Sequence, residues 1–413
     1  MVSPRWNPLP PWPPAARSPH RATGLALALT VACSGGDGRP PWEGAVDTLP
    51  SGTIVVGNAA HGSWDSGFAW RLVEDMRIES VEGEDATAFS RIVALAVDAA
   101  GRVYVLDAQA QEVRVFDAEG RHLRTIGRKG GGPGEFAEAD GIAVDESGNL
   151  WVGDRRARRL SVFDSSGALS RDYRRDGPGF VPWLTYGWPG GTLWDAWQVS
   201  GTDGTDGHTE LLRFADGAFR DTLRLPPFEP PQWRIVSRQG ISVNTFNFPV
   251  PLTAREVLAL DPTGGVWRAL SDEYRLTRFA ATGDSTLIVL REYQPVAVTT
   301  SDRERVLARY RQTFKESGTT LDESLVPAFH PALHGIWVDD RGYLWVVPVS
   351  ADTANMLVDV FDPTGRYLGA VRTSMTPRLL RPQPVVRDGR LYYVATDALD
   401  VPYVVRERIE GMD

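Results

Sequence analysis

The chain has 413 residues, of which 42% are hydrophobic, and its formal net charge is −9 at pH 7. The apolar content is sufficient for a packed core, and the acidic balance argues against attraction of the whole protein to nucleic acid or to an anionic membrane. The 41 glycines, 30 prolines and 14 tryptophans favour many short strands joined by turns. Because Cys33 is the only cysteine, no disulfide can form within the chain.

Residues 1–33 are predicted to be a targeting sequence that does not belong to the fold. Arg17 and Arg21 precede a short apolar run, residues 24–32, which is too short to span a bilayer as a helix. The run ends in LTVAC, which resembles the lipobox of bacterial lipoproteins. The resemblance implies export, lipidation of Cys33 and anchoring in the bacterial envelope, on the periplasmic side or at the cell surface. An ordinary cleaved signal with an incidental cysteine is the alternative.

Residues 34–67 are predicted to form a tether and N-terminal extension. They begin with SGGDG, a composition typical of flexible linkers. The folded domain is therefore expected to occupy residues 68–413.

Two segments of this domain are copies of one unit. Residues 95–107, LAVDAAGRVYVLD, align without gaps to residues 142–154, IAVDESGNLWVGD. The distance from the turn glycine of one copy to that of the next is 47 residues. Known propeller repeats are about 40 to 50 residues long, so the period predicts one four-stranded blade per copy.

The turns of the repeat carry the motif Asp-x-x-Gly, which is typical of short β-hairpins. The aspartate supplies a side-chain acceptor at the first position, and glycine tolerates the positive φ at the last. Further copies of the motif predict blades at residues 91–126, 141–173, 181–225, 256–292 and 334–373, and a partial sixth at 384–410.

Aromatic residues occupy the same position in the second strand of every predicted blade. We expect them to pack between adjacent blades rather than to stack on a ligand. They are Tyr104, Trp151, Trp194, Trp267, Trp345 and Tyr392.

The sixth predicted blade has only three strands, whereas the strand-like residues 68–79 have no partner upstream. Pairing the two would close the ring and remove its free sheet edges. The predicted fold class is thus all-β: a six-bladed β-propeller of four-stranded antiparallel blades, closed by an N-terminal strand, with one short inserted helix.

The junction between the first two blades carries a family resemblance. Residues 127–136, GRKGGGPGEF, and the following GIAVD at 141–145 resemble the blade junction of NHL-repeat propellers. The chain is also similar to six-bladed propeller lipoproteins of bacteria. The resemblance implies the architecture of residues 68–410 only. The same glycines do not form a Walker loop, because that pattern requires Ser or Thr after Gly-Lys and Lys129 is followed by Gly130.

Alternating strand direction sorts the connections of a propeller onto two faces. The first and third hairpins of each blade emerge on one face, which we name the hairpin face because the Asp-x-x-Gly turns fill it. Blade junctions and second hairpins emerge on the other. Both long insertions, residues 226–255 and 293–333, are predicted on that second face, which we name the insertion face. Binding loops on a rigid scaffold are expected there.

The second insertion contains a predicted helix. Ser301 and Glu304 have the spacing of a capping box, and an apolar stripe follows at spacings of three and four residues. The stripe either covers the propeller rim or makes the helix a lid over a pocket at the channel mouth. It consists of Val306, Leu307, Tyr310 and Phe314.

Six cations are predicted to meet on the insertion face: Arg128, Lys129, Arg155, Arg156, Arg158 and Arg159. The first five are the candidate binding residues, and we name these five the basic patch. Such a patch can bind carboxylate or phosphate groups. In the alternative, its arginines are solvated or paired with Glu138, Asp140 and Asp154. Nucleic acid is not expected, because no aromatic residues interleave with the patch.

Metal-binding signals are few. His330 and His334 form the only histidine pair with metal-like spacing, and both rings could face the channel mouth. NHL-type amidating lyases, which are zinc enzymes, need further histidines that this sequence does not match. Asp203, Asp206 and Glu210 could hold calcium, although their spacing fits a solvated turn better. Cofactors are therefore unknown, with calcium or zinc as the candidate.

These features favour a monomeric, non-enzymatic binding module of the cell envelope. Its insertion face would bind a protein, a peptide or an anionic small molecule, and it would contact the membrane only through the lipid anchor. The alternative is a metal-dependent propeller hydrolase, lactonase or lyase with its site at the channel mouth. Acidic and histidine side chains converging on the axis would distinguish the enzyme.

Overall fold

The computed structural model describes residues 42–64, 69–80, 85–175, 193–199, 207–215, 218–239, 242–260, 262–351, 356–375 and 382–412. Cys33 and the basic residues of the targeting sequence lie outside these ranges, as do Asp203 and Asp206. Within them, no helix is long and apolar enough to cross a membrane.

The described strands form six antiparallel blades in a ring, which confirms the predicted fold class. Three strands precede the first blade: β1 (Gly44–Thr48), β2 (Ile54–Asn58) and β3 (Arg71–Ile78). Blade 1 contains β4 (Ile92–Val97), β5 (Val103–Asp107), β6 (Glu112–Phe116) and β7 (His122–Ile126). Blade 2 contains β8 (Ala139–Val144), β9 (Leu150–Asp154), β10 (Arg159–Phe163) and β11 (Leu169–Arg174).

Blade 3 has three described strands: β12 (Leu193–Val199), β13 (His208–Ala215) and β14 (Ala218–Arg224). Residues 181–192, where this blade is predicted to begin, lie outside the described residues. The first insertion contributes the hairpin β15 (Gln232–Gln239) and β16 (Ser242–Pro249). Blade 4 contains β17 (Glu256–Leu260), β18 (Val266–Leu270), β19 (Arg275–Phe279) and β20 (Ser285–Arg291).

The second insertion contains the helix α1 (Thr300–Glu316). Blade 5 contains β21 (Leu333–Val338), β22 (Leu344–Pro348), β23 (Met356–Phe361) and β24 (Tyr367–Thr373). Blade 6 contains β25 (Val385–Arg387), β26 (Arg390–Thr396) and β27 (Pro402–Glu410). Short 3₁₀ turns occur at Asp85–Thr87 and Glu323–Leu325.

The ring is closed by the N-terminal strand, as predicted. β3 pairs antiparallel with β27, from Val404 opposite Ile78 to Glu410 opposite Arg71, and so becomes the fourth strand of blade 6. Trp70, just before β3, packs its ring 5.7 Å from that of Trp345 in blade 5. Closure therefore joins the strand that precedes blade 1 to blade 6 through a sheet, and Trp70 adds a buried aromatic contact with blade 5.

The Asp-x-x-Gly turns form by local chemistry. The Oδ1 atom of Asp98 accepts hydrogen bonds from the amides of Ala100 and Arg102, both at 2.9 Å. Gly101 has a φ of 74° and donates its amide to the carbonyl of Asp98. Since a residue with a β-carbon is strained at this φ, glycine fits the last position of the turn.

The repeated aromatics are buried between neighbouring blades, as predicted. Tyr104 packs against Ile142 of blade 2, Trp151 against Phe214 of blade 3, and Trp345 against Val386 of blade 6. All six rings of the set are less than 8% exposed. They fill the wedge between blades, so their role is in the core.

An N-terminal hairpin enlarges blade 4, which the sequence analysis did not foresee. β1 and β2 pair antiparallel, and β2 pairs parallel with β20, which gives a six-stranded sheet. The Asn58 side chain donates to the carbonyls of Leu290 and Gly365, both at 3.0 Å. This part of the predicted N-terminal extension thus links blades 4 and 5.

The helix stripe packs against the first insertion, and not against the propeller rim or over a pocket, which were the two predicted alternatives; Leu307 and Phe314 are buried, and Val306 and Tyr310 are half-buried. Leu307 and Phe314 of α1 pack with Trp233 and Ile235 of β15 in a hydrophobic cluster of their own, which we name the insertion core. Both insertions are thus joined into one unit. The capping box also lies two residues earlier than predicted: Thr299 is the N-cap, and its partner is Asp302.

Candidate functional site

The two loops that carry the basic patch are bonded to each other. Asp154 at the end of β9 is fully buried and accepts hydrogen bonds from the amides of Ala137, Glu138 and Ala157. The amide of Arg155 donates to the carbonyl of Glu138 at 3.1 Å. One buried carboxylate therefore holds the junction loop of blades 1 and 2 against the second hairpin of blade 2.

The glycine-rich part of the junction loop is closed by its own glutamate. The Glu135 carboxylate accepts a hydrogen bond from the amide of Gly132 at 2.8 Å and pairs with Arg128 at 2.8 Å. The Gly132 amide and then Arg128 hold the pKa of Glu135 below its usual range. Because Glu135 already binds the loop amide, the geometry agrees with the rejection of a phosphate-binding loop.

The five cations of the basic patch have different surroundings. Arg155 pairs with Glu138, one of the acids named in the alternative, whereas Arg128 pairs with Glu135, which the alternative did not name. Arg158 has a φ of 52°, and its carbonyl accepts a hydrogen bond from the amide of Arg175. Lys129 and Arg156 are exposed and form no ion pair within the described residues. Positive charge therefore remains at the surface of the patch.

A buried ion cluster, which the sequence analysis missed, lies next to the patch. Arg175 binds both oxygens of Asp195 at 2.6 and 2.8 Å and reaches Asp140 at 3.1 Å. Burial raises the pKa of Asp195 against the opposing effect of Arg175. The cluster joins blades 2 and 3 and occupies Asp140, one of the acids expected to pair with the patch. Its members are remote in sequence, so no local pattern pointed to them.

The two candidate metal ligands lie where the second insertion returns to the ring. His330 Nε2 is 3.3 Å from the Asp302 carboxylate of α1. Burial, and then the positive charge of Arg255, lowers the pKa of His334 to about 4, so its ring is neutral at pH 7. Within the described ranges, no group of three or more His, Cys, Asp or Glu could hold a metal ion. Binding of zinc or calcium by His330 and His334 stays a prediction.

A cavity of about 520 Å³ lies on the hairpin face, opposite the face where we expected a pocket. Inner strands and first hairpins of blades 1, 2, 4, 5 and 6 line it. Leu95, Ile142 and Val338 are among its apolar residues, and Asp98, Asp145 and Asp339 among its polar ones. The sequence predicted these aspartates only as turn formers. The cavity between them could not be predicted, because the sequence does not show the distance between blades.

Residues 79–176 match a family model described as DUF5128, 6-bladed beta-propeller. This span covers blades 1 and 2, where the repeat copies are closest. A search of curated proteins finds no match to the chain.

Several solved structures are similar in fold. A candidate exported protein of Bacteroides fragilis is 11% identical, with a TM-score of 0.49 over 86% of this chain and 99% of the other. A DUF4221 family member from Bacteroides vulgatus is 12% identical, with a TM-score of 0.45 over 83% and 98%. A gluconolactonase of Xanthomonas campestris is 14% identical, with a TM-score of 0.41 over 81% and 97%. Likeness at this level does not extend to activity.

Proposed function

We propose that the protein is a non-enzymatic binding module of the bacterial envelope whose insertion face binds the anionic groups of a protein, peptide or small molecule. The observation that carries the proposal is the basic patch. Two bonded loops present Arg128, Lys129, Arg155, Arg156 and Arg158 on a protein of net charge −9. A local positive surface on an acidic protein favours anionic partners that dock at that surface.

Lys129 and Arg156 are the members of the patch best placed to contact a partner. Arg128 and Arg155 already have acidic partners, whereas Lys129 and Arg156 have none within the described residues. Their charges are thus available to a ligand carboxylate or phosphate. The Glu135 and Asp154 contacts fix the loops beneath them, which lowers the entropy lost on binding.

A fluorescently labelled oligoglutamate peptide tests this proposal. We expect saturable binding by fluorescence anisotropy that weakens as salt is raised from about 50 to 300 mM, because exposed charges are screened. The double variant K129A/R156A should bind at least about tenfold more weakly at low salt, with an unchanged melting temperature.

The matched control is R71A/R121A, which removes two exposed arginines on the hairpin face. It should bind the peptide like the unchanged protein. Equal weakening in the control and in K129A/R156A would mean that only the overall charge matters, and the basic patch would lose its role.

Anchoring at the envelope belongs to the same proposal and has its own test. In a bacterial host, the chain should partition with the membrane fraction and incorporate labelled fatty acid. The variant C33S should lose the label and appear in the soluble exported fraction. A labelled C33S variant, or an unlabelled original, would contradict a lipid anchor on Cys33.

A further inference from the structure

The cavity on the hairpin face is distinct from the basic patch and has the size of a ligand site. Its volume of about 520 Å³ falls within the range of about 300 to 1,000 Å³ that is typical of small-molecule pockets. It lies on the propeller axis, since the inner strands of five blades contribute to its lining.

The Gln383 side chain is part of the lining of this cavity. Its Nε2 atom donates to the carbonyl of Ile336 in blade 5 at 2.5 Å and lies 3.5 Å from the carbonyl of Leu258 in blade 4. Gln383 itself precedes β25 of blade 6. Blades 4 and 6 are not neighbours, so the side chain reaches across the channel. Its Oε1 atom is then an acceptor without a donor among the described residues.

The cavity combines aliphatic walls with an acidic opening. Apolar lining residues are Leu95, Val97, Ile142, Val144, Leu260 and Val338. The lining contains more carboxylates than guanidinium groups: Asp98, Asp145, Glu146, Asp339 and Asp340 against Arg102 and Arg387.

Contacts within the protein determine which of these charged groups can bind a ligand. Arg102 forms an ion pair with Asp98 at 2.6 Å, so these two side chains contribute no net charge. Glu146 and Asp340 are exposed, on the first hairpins of blades 2 and 5, which face each other across the six-bladed ring. One oxygen of Asp340 accepts a hydrogen bond from the amide of Asp388 at 2.9 Å, and the carboxylate keeps its charge. Arg387 remains as a cation, and its Nη1 atom donates to a backbone carbonyl of blade 1 at 3.0 Å. The balance at the opening is negative.

We infer that this cavity binds a small organic cation, an amine whose ammonium groups meet Glu146 and Asp340 and whose methylene groups contact the aliphatic walls. A cleft with one sign of charge and low-dielectric walls concentrates ions of the opposite sign. Burial of methylene groups adds to the binding and distinguishes an alkyl amine from an inorganic cation. The Gln383 Oε1 atom offers a further acceptor for an N–H group of the ligand.

Isothermal titration with spermidine at about 150 mM salt tests the inference on the full mature chain. One saturable site per chain is expected, and magnesium chloride at equal charge should not compete effectively. The variant E146Q/D340N should weaken spermidine binding at least tenfold. The variant A99W, which places an indole at the opening from an exposed turn position, should abolish it.

The control E119Q/D284N removes two carboxylates from third hairpins of the same face, outside the cavity lining. It should bind spermidine normally, and all variants should keep the original melting curve. Absence of a saturable site, equal weakening by the control, or full affinity in A99W would each overturn the inference. Oligoglutamate binding at the basic patch is measured separately, so the two proposals fail or succeed independently.

Discussion

At the scale of single residues, Asp359 shows how the blades are joined by buried charge. Tyr274 and Tyr367 donate their hydroxyls to its two oxygens at 2.5 and 2.8 Å, and Arg291 pairs with it at 3.1 Å. Tyr274 and Arg291 belong to blade 4, and Asp359 to blade 5. Burial raises the pKa of Asp359 while Arg291 opposes that rise. The cluster holds neighbouring blades in one arrangement.

Replacing Asp359 with alanine should strongly destabilise the protein. The variant leaves the Arg291 guanidinium buried without a carboxylate, and breaking a buried pair in this way costs about 3 to 5 kcal/mol. Tyr274→Phe removes one hydrogen bond only and should cost about 1 to 2 kcal/mol. Urea denaturation measures both free energies of unfolding. Similar losses in the two variants would contradict the role given to the charge.

The lowered pKa of His334 should make the folded protein less stable as the pH falls. This pKa is about 4 in the folded protein, against an ordinary value of 6.5 for a solvated histidine. Between these values the unfolded chain binds a proton that the folded protein does not, so stability falls as pH drops from about 6.5 to 4. Relative to H334N, the protein should lose up to about 2 kcal/mol between pH 7.5 and 5, less where solvent screens the ring.

Urea midpoints of the protein and of H334N at both pH values provide the measurement. Other titrating groups contribute to both proteins and cancel in the comparison. An identical pH dependence in the two would mean that His334 titrates normally in the folded state.

At the scale of elements, the insertion core is a separate packing unit. Phe314 is 2% exposed and meets the rings of Trp233 and Phe248 edge to face. Phe314→Ala should cost about 3 to 5 kcal/mol within this unit. Hydrogen exchange should show faster exchange in α1 and in β15 and β16, with the inner strands of the blades unchanged. Lys315→Ala, at an exposed neighbouring position, is the control; uniform loss of protection over the ring would contradict a separate unit.

The sequence predicted elements well where their chemistry is local. Each Asp-x-x-Gly turn is specified within four residues, and so the blades and their order followed from the motif. The hairpin of β1 and β2 was missed because its partner β20 is more than 200 residues away. The helix was predicted from periodicity, but its contact with β15 depends on the first insertion, which the periodicity of the helix does not describe.

The candidate site was predicted less completely than the fold, for the same physical reason. Proximity of the two basic loops followed from blade geometry, and the amide bonds to Asp154 agree with it. Loop conformation determines which cations of the patch have acidic partners. The sequence therefore could not show that Arg128 and Arg155 are paired, whereas Lys129 and Arg156 are not paired within the described residues. The axial cavity is a space between five blades, which no single segment encodes.

At the scale of the whole molecule, β3 closes the ring, and we expect stability to depend on this closure. Met76 and Ile78 of β3 are buried with Tyr392 and Val404 of blade 6. Deleting residues 1–80 would expose the edge of β27 and the apolar side chains of blade 6 that β3 covers. We expect aggregation of the truncated chain in size-exclusion chromatography, because exposed hydrophobic edges pair with other chains. A monomeric truncated chain with an unchanged melting temperature would contradict the closure role.

Alternating strand direction gives the molecule two faces, and we propose that an anionic partner binds to the insertion face. Hydrogen exchange in the presence and absence of saturating oligoglutamate peptide locates the contact most directly. Slower exchange is expected in residues 127–138 and 155–158, with no change in the first and third hairpins of the blades. Protection confined to those hairpins would place the partner on the opposite face and contradict the account.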